Sequence, residues 1–230
     1  MIVYGKNVFN EISNNAPNIR KIYLANSFHD DKIMKIIKDH NLKYVKADNK
    51  ELDRLSKGNH QGIVVEVNEY EYVSLESILE ANDDLIIVLD HLEDPHNLGA
   101  IIRTCEAAGV KSIIIPKDRS VQVNGTVMKV SAGALEYVNV CCISNIVNAL
   151  NKLKSHGYFI YGTKMDAPHY KDITLADKCV LVIGNEGSGL SRLVSDTCDE
   201  MLSIKMHGQI NSLNASVACA ILIYGIKADL

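Results

Sequence analysis

The chain has 230 residues, of which 47% are hydrophobic and 6% aromatic, and it contains no tryptophan. This length and composition suffice for a globular protein with one large domain or two small ones. No apolar run approaches the roughly 18 residues that a membrane-spanning helix needs, and the first residues turn polar too early for a secretory signal. We therefore expect a cytoplasmic protein with no membrane partner.

Six cysteines occur without a C-x-x-C pair or regular spacing, and most have apolar neighbours in the sequence. Free cysteines in such places behave as small hydrophobic residues. We predict reduced core cysteines, with a reactive thiol as the alternative, and no metal site.

The formal net charge is −4, which by itself argues weakly against a nucleic-acid partner. The charge is unevenly distributed. Residues 1–67 contain 11 basic and 8 acidic residues, residues 68–84 contain six acids and no bases, and residues 85–230 contain 13 bases and 14 acids. A polyanion would therefore be held mainly by the front part of the chain, although charge runs are usually just solvated faces.

Residues 1–67 alternate between helical and strand-like patterns, which predicts a small α/β module. In the predicted helix DDKIMKIIKDH, three isoleucines (Ile33, Ile36 and Ile37) share one face, and Asp48 should cap the next helix. The predicted elements are, in order, helix VFNEISNN, strand IRKIYLA, helix DDKIMKIIKDH, strand LKYVKA, helix DNKELDRLSKG and strand GIVVEV.

Residues 68–84 are predicted to be an acidic linker with a helical turn or two in SLESILEAN, and residues 85–230 a second domain. This domain contains short apolar runs typical of strands covered on both faces, separated by helical segments. Such alternation indicates a mostly parallel sheet, and the pattern alone would favour a Rossmann-like fold. The predicted strands are LIIVLD, SIIIP and CVLVIG, and the predicted helices are NLGAIIRTCEAAG, NGTVMKVSAGALE and NIVNALNKLKSHG.

The first candidate motif, LDHLEDPHNLGAIIRTCEAAGV, spans residues 89–110. A buried strand ends there, and Asn97 stands where a helix N-cap is expected. Arg103 projects from a different face than the apolar residues, and it should lean back toward the loop at the helix start. It either contacts a ligand there or pairs with Glu106. The apolar face comprises Leu98, Ile101, Ile102 and Cys105.

The second motif, LVIGNEGSGLSRL, spans residues 181–193 and brings three glycines after a buried strand. Glycines in this position suggest that backbone must approach a ligand closely. The spacing matches neither the dinucleotide fingerprint nor a P-loop. Glu186, in the middle of the turn, either accepts hydrogen bonds from a substrate or caps a helix beginning near Leu190.

The third motif, GQINSLNASVACAILIYG, spans residues 208–225. Its apolar residues recur at helical spacing, so this helix should bury one face in the core. Its start carries more potential capping residues than a helix needs, namely Asn211, Ser212 and Asn214, with Ser216 one turn later. These polar groups should face something besides their own backbone. The predicted core face comprises Leu213, Val217, Ala220, Ile221 and Tyr224.

The segments DPHNLGAIIRT, GNEGSGL and SLNASVA, in this order, resemble the three signature motifs of the SpoU (TrmH-like) RNA 2′-O-ribose methyltransferases of the SPOUT superfamily. The resemblance covers residues 85–230. Residues 1–67 resemble the L30e-like substrate-binding domain that precedes the catalytic domain in many members. Within the family, members that methylate a guanosine of 23S ribosomal RNA are the nearest likeness.

This resemblance implies a fold and a chemistry that the pattern alone does not give. It implies a C-terminal α/β knot, a mostly parallel sheet with a deep trefoil in which S-adenosyl-L-methionine (AdoMet) lies bent. It also implies a homodimer with the active site built across the subunit interface, RNA as substrate, and no metal. Two alternatives remain open: methylation of tRNA, or RNA binding without catalysis. A nucleotide-dependent oxidoreductase is disfavoured, since its glycine fingerprint is missing.

Matching by motif position assigns the candidate site residues. The resemblance implies catalytic roles for Asn97, Arg103, Glu186, Ser212 and Asn214. It implies that Gly184, Ile204 and Leu213 line the cofactor pocket. Lys205 stands where relatives commonly have proline, so the rigidity of that loop is in question. His60 and His96 adjoin motifs, but RNA contact or strand capping for His60 and turn formation for His96 are favoured over proton transfer.

Overall fold

The computed structural model describes residues 1–13, 19–56, 58–209 and 212–229. The chain forms two compact units, one of Met1–Glu71 with Val123–Gly133, the other of Tyr72–Gln122 with Ala134–Leu230. Of the helices in the described ranges, none combines the length and apolar character needed to cross a bilayer.

The first unit contains a four-stranded mixed sheet in the order β1-β4-β2-β3. Strand β4 is antiparallel to β1 and β2, while β2 and β3 are parallel. Strand β1 was not predicted, since three residues are too few to show a period. The elements are β1 (Ile2–Tyr4), α1 (Lys6–Ile12), β2 (Ile19–Ala25), α2 (Asp31–Asp39), β3 (Tyr44–Ala47), α3 (Asn49–Ser56) and β4 (Ile63–Val67).

The predicted elements of residues 1–67 are confirmed, although the end predicted for the first helix, at residues 14 and 15, lies outside the described residues. On α2, Ile33 and Ile37 are buried and Ile36 is half-buried. The Asp48 carboxylate accepts the backbone N–H of Glu51 at 2.8 Å, as expected of a helix cap.

The second unit contains a six-stranded parallel sheet in the order β10-β8-β9-β5-β6-β7, which confirms the predicted α/β class. Strands β5, β6 and β9 are buried along their whole length, as their continuous apolar sequences predicted. The remaining elements are α4 (Leu75–Ala81), β5 (Leu85–Leu89), α5 (Pro95–Ala107), β6 (Ser112–Pro116), α6 (Gly125–Ser131), β7 (Asn139–Ile143), α7 (Ile146–Ser155), β8 (Phe159–Thr163), β9 (Cys179–Ile183), α8 (Arg192–Thr197), β10 (Glu200–Leu202) and α9 (Ala215–Asp229).

The boundaries of the units differ from the predicted domains in two places. Helix α6, predicted in the second domain, packs in the first unit, where a Cβ on Gly125 would lie 2.4 Å from the carbonyl oxygen of Ile2. The segment 72–84, predicted as linker, belongs to the second unit: Val73 pairs with Cys141, and Ile78 of α4 is fully buried. The many acidic residues of this segment indicated an exposed linker, so the buried position of Ile78 was not predicted.

Helix α9 packs against α5 and against a short 3₁₀ turn at Tyr170–Asp172. The contact depends on Gly225, because a Cβ there would lie 2.2 Å from the ring of Tyr170. Tyr170 itself is buried. The helix therefore needs a residue without a side chain where it crosses this ring.

The prediction of which face of α9 lies in the core was wrong. Val217, Ile221 and Tyr224 are 46%, 36% and 54% exposed. The opposite side is the buried one, and it comprises Ala215, Cys219, Leu222, Ile223 and Ile226. Because α9 is apolar all around, its period indicates a helix without indicating which face packs inward.

Gly225→Ala should destabilise the second unit, since its methyl group overlaps the Tyr170 ring and the helix must shift. We expect a loss of about 2 kcal/mol in the free energy of unfolding, measured by urea denaturation. The control is Gly208→Ala, whose Cβ meets nothing within 4 Å and should change stability by less than about 0.5 kcal/mol. Equal losses in both variants would contradict the packing argument.

Candidate active site

A cavity of about 1090 Å³ lies at the carboxyl ends of β8, β9 and β10. These three strands are neighbours and parallel, so the segments that leave them meet at one edge of the sheet. Ligands of open α/β sheets bind at such an edge. The walls come from residues 163–172, 183–190, 202–206 and the start of α9.

All three predicted cofactor residues, Gly184, Ile204 and Leu213, line this cavity, and so do Glu186 and Ser212. The lining combines apolar walls with carboxylate, hydroxyl and amino groups, as expected of a pocket for a polar ligand with an apolar portion. The apolar lining includes Ile183, Leu190, Leu202 and Leu222.

The physical reason predicted for Gly184 was incomplete. A Cβ on Gly184 would lie 2.4 Å from the backbone carbon of Gly189 and 2.6 Å from the nitrogen of Leu190. The loop closes on itself here, since Asn185 and Gly189 exchange backbone hydrogen bonds of 3.1 and 2.9 Å. Gly184 is therefore required by the close approach of the loop's own backbone, whatever the ligand.

Three polar side chains from distant parts of the chain meet on one oxygen atom. Glu186 Oε1 accepts from Asn97 Nδ2 at 2.8 Å and from Asn214 Nδ2 at 2.6 Å. It also accepts the backbone N–H of Ala215 at 3.1 Å. Asn214 Nδ2 donates in addition to Asn97 Oδ1 at 2.9 Å. One residue from each predicted motif thus belongs to a single hydrogen-bonded cluster, which we call the Glu186 cluster (Asn97, Glu186 and Asn214).

Two capping predictions need correction. Asn97 lies inside α5 and is not its N-cap, which is Asp94: the Asp94 carboxylate accepts the His96 backbone N–H at 2.8 Å. That hydrogen bond lowers the pKa of the Asp94 carboxyl. Glu186 supports the first residue of α9 and not α8, whose N-cap is Ser191.

Among the capping candidates of the third motif, Asn214 holds the start of α9. Its Oδ1 accepts the Ser216 backbone N–H at 3.0 Å and the Ser216 hydroxyl at 2.6 Å. Ser212 is exposed at the cavity, and Asn211 lies outside the described residues. Asn214 therefore uses its oxygen for the helix and its amide nitrogen for the Glu186 cluster.

Arg103 is exposed on α5, while the four apolar residues predicted for the other face are all buried. Within the described ranges, Arg103 makes no ion pair with Glu106 and is not among the cavity-lining residues. The single chain thus brings four of the five candidate catalytic residues to the cavity or the adjoining Glu186 cluster. Arg103 stays outside both.

A second polar link, between the loop after β5 and the loop after β9, was not predicted from the sequence. The Asp90 carboxylate, 1% exposed, accepts the Ser191 backbone N–H at 2.6 Å and contacts His91 Nδ1 at 2.5 Å. His91 has φ of +57°, and its carbonyl accepts from Asn185 Nδ2 at 2.8 Å. An aspartate directly after a buried strand, followed by several polar residues, was the available signal. This link fixes the loop after β5 against the loop after β9.

The six cysteines are free, and burial raises the pKa of each thiol. Burial raises the pKa of the Cys219 thiol to about 12 and that of Cys179 to about 11. Both thiols are therefore protonated at neutral pH. The described residues contain no group of three or more His, Cys, Asp or Glu placed to hold a metal ion.

Comparison with known families accounts for both units. The model of the SpoU rRNA methylase family matches residues 84–224. A second model, RNA 2′-O ribose methyltransferase substrate binding, matches residues 2–73. The chain belongs to the SpoU methylase family. The three signature segments, which meet in the Glu186 cluster, all fall within the first match.

Individual relatives agree with this assignment. A TrmH family tRNA/rRNA methyltransferase of Staphylococcus haemolyticus is 37% identical over 98% of this chain and 94% of its own length. The AdoMet-bound rRNA methyltransferase from Sinorhizobium meliloti shares the fold with a TM-score of 0.80 and 20% identity, covering 100% of this chain and 87% of that one. The A. aeolicus TrmH/SpoU tRNA modifying enzyme is 28% identical with a TM-score of 0.58, covering 67% of this SpoU chain and 83% of that one.

Glu186→Ala should cost about 1–2 kcal/mol in the free energy of unfolding, because it leaves the buried Asn97 amide and the first N–H of α9 without their shared acceptor. Glu186→Gln should cost less, since its amide oxygen still accepts. Urea denaturation followed by circular dichroism measures both. Glu106→Ala, an exposed glutamate on α5, is the control and should be neutral. A neutral Glu186→Ala would show that the cluster adds nothing to stability.

Proposed function

We propose that this SpoU family member transfers the methyl group of AdoMet to a ribose 2′-hydroxyl of RNA in the cytoplasm, with a guanosine of 23S ribosomal RNA as the target. The observation that carries the proposal is the convergence of three motif segments in the Glu186 cluster, next to a large cavity at the carboxyl edge of a parallel sheet. A protein that only bound RNA would have no need of a cavity this large beside that cluster.

The cavity lining fits AdoMet in its chemistry. Ile204 and Leu213 supply apolar surface for an adenine ring, and the closed loop after Gly184 supplies backbone polar groups. When bound, AdoMet supplies an electrophilic methyl group on a sulfonium. The fold likeness to an AdoMet-bound enzyme supports this assignment. It also supports the trefoil knot, in which the segment leading to α9 would pass through a loop of the chain.

The Glu186 cluster holds the start of α9 and the first turn of α5 in a fixed relation. In the proposed reaction, Asn97 and Asn214 act through this junction, where their amides are held by Glu186, and Ser212 presents an exposed hydroxyl at the cavity. The Ser212 hydroxyl would orient the ribose so that its 2′-oxygen attacks in line, and orientation is a large part of what such a transfer requires. Glu186 keeps them in place.

Arg103 would act on the RNA from outside the cavity. A guanidinium is a poor proton acceptor, because it stays protonated under nearly all conditions. An exposed guanidinium suits bidentate binding of a phosphate. We therefore assign to Arg103 the binding of the target nucleotide's phosphate, with electrostatic stabilisation of the 2′-oxygen. In the transfer, the O–CH3 bond forms as the S–CH3 bond of AdoMet breaks, S-adenosylhomocysteine leaves, and the hydroxyl proton passes to solvent.

A ribosomal target is favoured over tRNA by the first unit. The full-length fold likeness is with an rRNA methyltransferase, whereas the tRNA modifying enzyme covers 67% of this chain. The first unit has its own polar cavity of about 440 Å³, with lining residues that include Lys6, His60 and Gln61. Residues 1–67 also have an excess of basic over acidic residues. These features suit contact with a phosphate backbone.

The purified protein should transfer labelled methyl groups from AdoMet to unmodified 23S rRNA and not to tRNA. Arg103→Ala should reduce the rate by about 100-fold or more, since a charged contact to the reacting nucleotide is lost, while Glu106→Ala on the same helix should leave it unchanged. Substantial activity of Arg103→Lys would support the electrostatic role. Label in tRNA alone would refute the target, and AdoMet binding without transfer to either RNA would refute the reaction.

A homodimer is proposed from the exposed side of α9. Val217, Ile221 and Tyr224 recur at positions i, i+4 and i+7, so they form a continuous apolar stripe. Such a stripe marks an interaction surface in a soluble protein. Helix α5, which carries Arg103, packs beside α9. Pairing through this stripe would let Arg103 of one chain serve the cavity of the other, which fits its position outside its own cavity.

Tyr224→Glu should convert the dimer to a monomer, because it places a charge in the apolar stripe. Sedimentation velocity measures the oligomeric state, and the rate of methyl transfer should fall when the dimer is lost. The control is Tyr137→Glu, a change of the same kind at a tyrosine that is 72% exposed elsewhere in the second unit. A dimer that survives Tyr224→Glu, or a wild-type monomer with full activity, would contradict the proposal.

A further inference from the structure

Two cavity segments, those after β8 and after β10, are joined by a ladder of hydrogen bonds. The Lys164 N–H donates to the Leu202 carbonyl at 3.0 Å, and the Ser203 N–H donates to Pro168 at 2.8 Å. The Tyr170 N–H then donates to the Ser203 carbonyl at 3.0 Å. The cavity wall around Ile204 therefore depends on the segment that follows β8.

His169 extends this ladder by one step with its side chain. Its Nδ1 lies 3.3 Å from the Lys205 backbone nitrogen and 3.2 Å from the Ser203 carbonyl oxygen. The Ser203 oxygen already accepts from Tyr170, and a backbone N–H can only donate. Nδ1 therefore serves best as the acceptor for Lys205, with the ring proton on Nε2.

The ring of His169 rests on a fixed support. It meets the Tyr170 ring edge-on, with 4.6 Å between centroids. Tyr170 is buried, and its ring packs closely against α9 at Gly225. The imidazole can therefore hold the Lys205 N–H in a defined position.

We propose that His169 is a positioning residue for AdoMet, acting through its hydrogen bond to the Lys205 backbone N–H. This bond fixes the backbone on either side of Ile204 and Lys205, both of which line the cavity together with His169. A proline at position 205 would have no N–H to donate. In this chain, the hydrogen bond from the Lys205 N–H to His169 thus supplies rigidity to the loop in which Lys205 replaces the proline common in relatives. The inference rests on the proposed function, in which this cavity binds AdoMet.

Calorimetric titration of the full chain with AdoMet tests the role of His169. His169→Ala should raise the Kd about five- to tenfold, the effect of one net hydrogen bond. His169→Asn should restore most of the affinity, because its Oδ1 can accept near the position of Nδ1. His207→Ala is the control, an exposed histidine in the same segment. In methyl transfer, the KM for AdoMet should rise while kcat stays within about twofold.

Variants at position 205 separate the N–H from the ammonium group. Lys205→Met loses the charge and keeps the N–H, so His169→Ala should still weaken AdoMet binding in this background. Lys205→Pro loses both, so His169→Ala should have no further effect there. If His169→Ala folds poorly, His169→Phe takes its place in both backgrounds, because it keeps a ring against Tyr170 and has no acceptor for the Lys205 N–H.

The outcomes separate this inference from the proposed function. If the wild-type chain binds no AdoMet, the proposed function fails. The wild-type chain can instead bind AdoMet with the same Kd as both His169→Ala and His169→Asn. In that case the positioning role fails while the proposed function stands. Equal effects of His169→Ala in the Lys205→Met and Lys205→Pro backgrounds would also overturn it.

Discussion

The arrangement of the second unit depends on one carboxylate oxygen. Glu186 Oε1 takes hydrogen bonds from an amide on α5, an amide just before α9 and the first backbone N–H of α9. Three elements separated along the sequence thus share one acceptor. The cavity wall formed by the start of α9 is fixed by the same contact that fixes Asn97. The cavity and three of the candidate catalytic residues, Asn97, Glu186 and Asn214, are consequently joined by direct hydrogen bonds, and such a connection is how a transfer reaction obtains its alignment.

The buried Asp90 carboxylate makes a second set of polar contacts in this unit. It joins the loop after β5 to the start of α8, while Asn185 joins the same two loops through the His91 carbonyl. Strands β5 and β9 are neighbours in the sheet, so both polar links span the loops of one strand pair. Buried polar groups are costly unless satisfied, and here each satisfied group also sets the position of the cavity-lining loop after β9 relative to the loop after β5.

The sequence predicted the elements whose patterns are long and consistent, and it missed those whose information is not local. The apolar runs of β5, β6 and β9 are unmistakable, whereas β7, β8 and β10 mix polar and apolar residues or span only three residues. The exposed face of α9 could not be predicted, because both faces are apolar and only tertiary packing distinguishes them. The motifs indicated Glu186, Asn97 and Asn214 separately. Their mutual hydrogen bonds, and the close approach of the loop backbone that requires glycine at position 184, could be seen only in the coordinates.

The spacing of the cluster along the chain has a consequence for biosynthesis. Asn97 and Glu186 are 89 positions apart, and Asn97 and Asn214 are 117 apart. A ribosome must therefore translate beyond Glu186 before the Asn97 amide can find its acceptor, and beyond Asn214 before the cluster is complete. Contacts this remote slow the search for the native state. Until then Glu186 lacks the amide donor from Asn214, and a nascent chain is without the finished cavity throughout most of its synthesis.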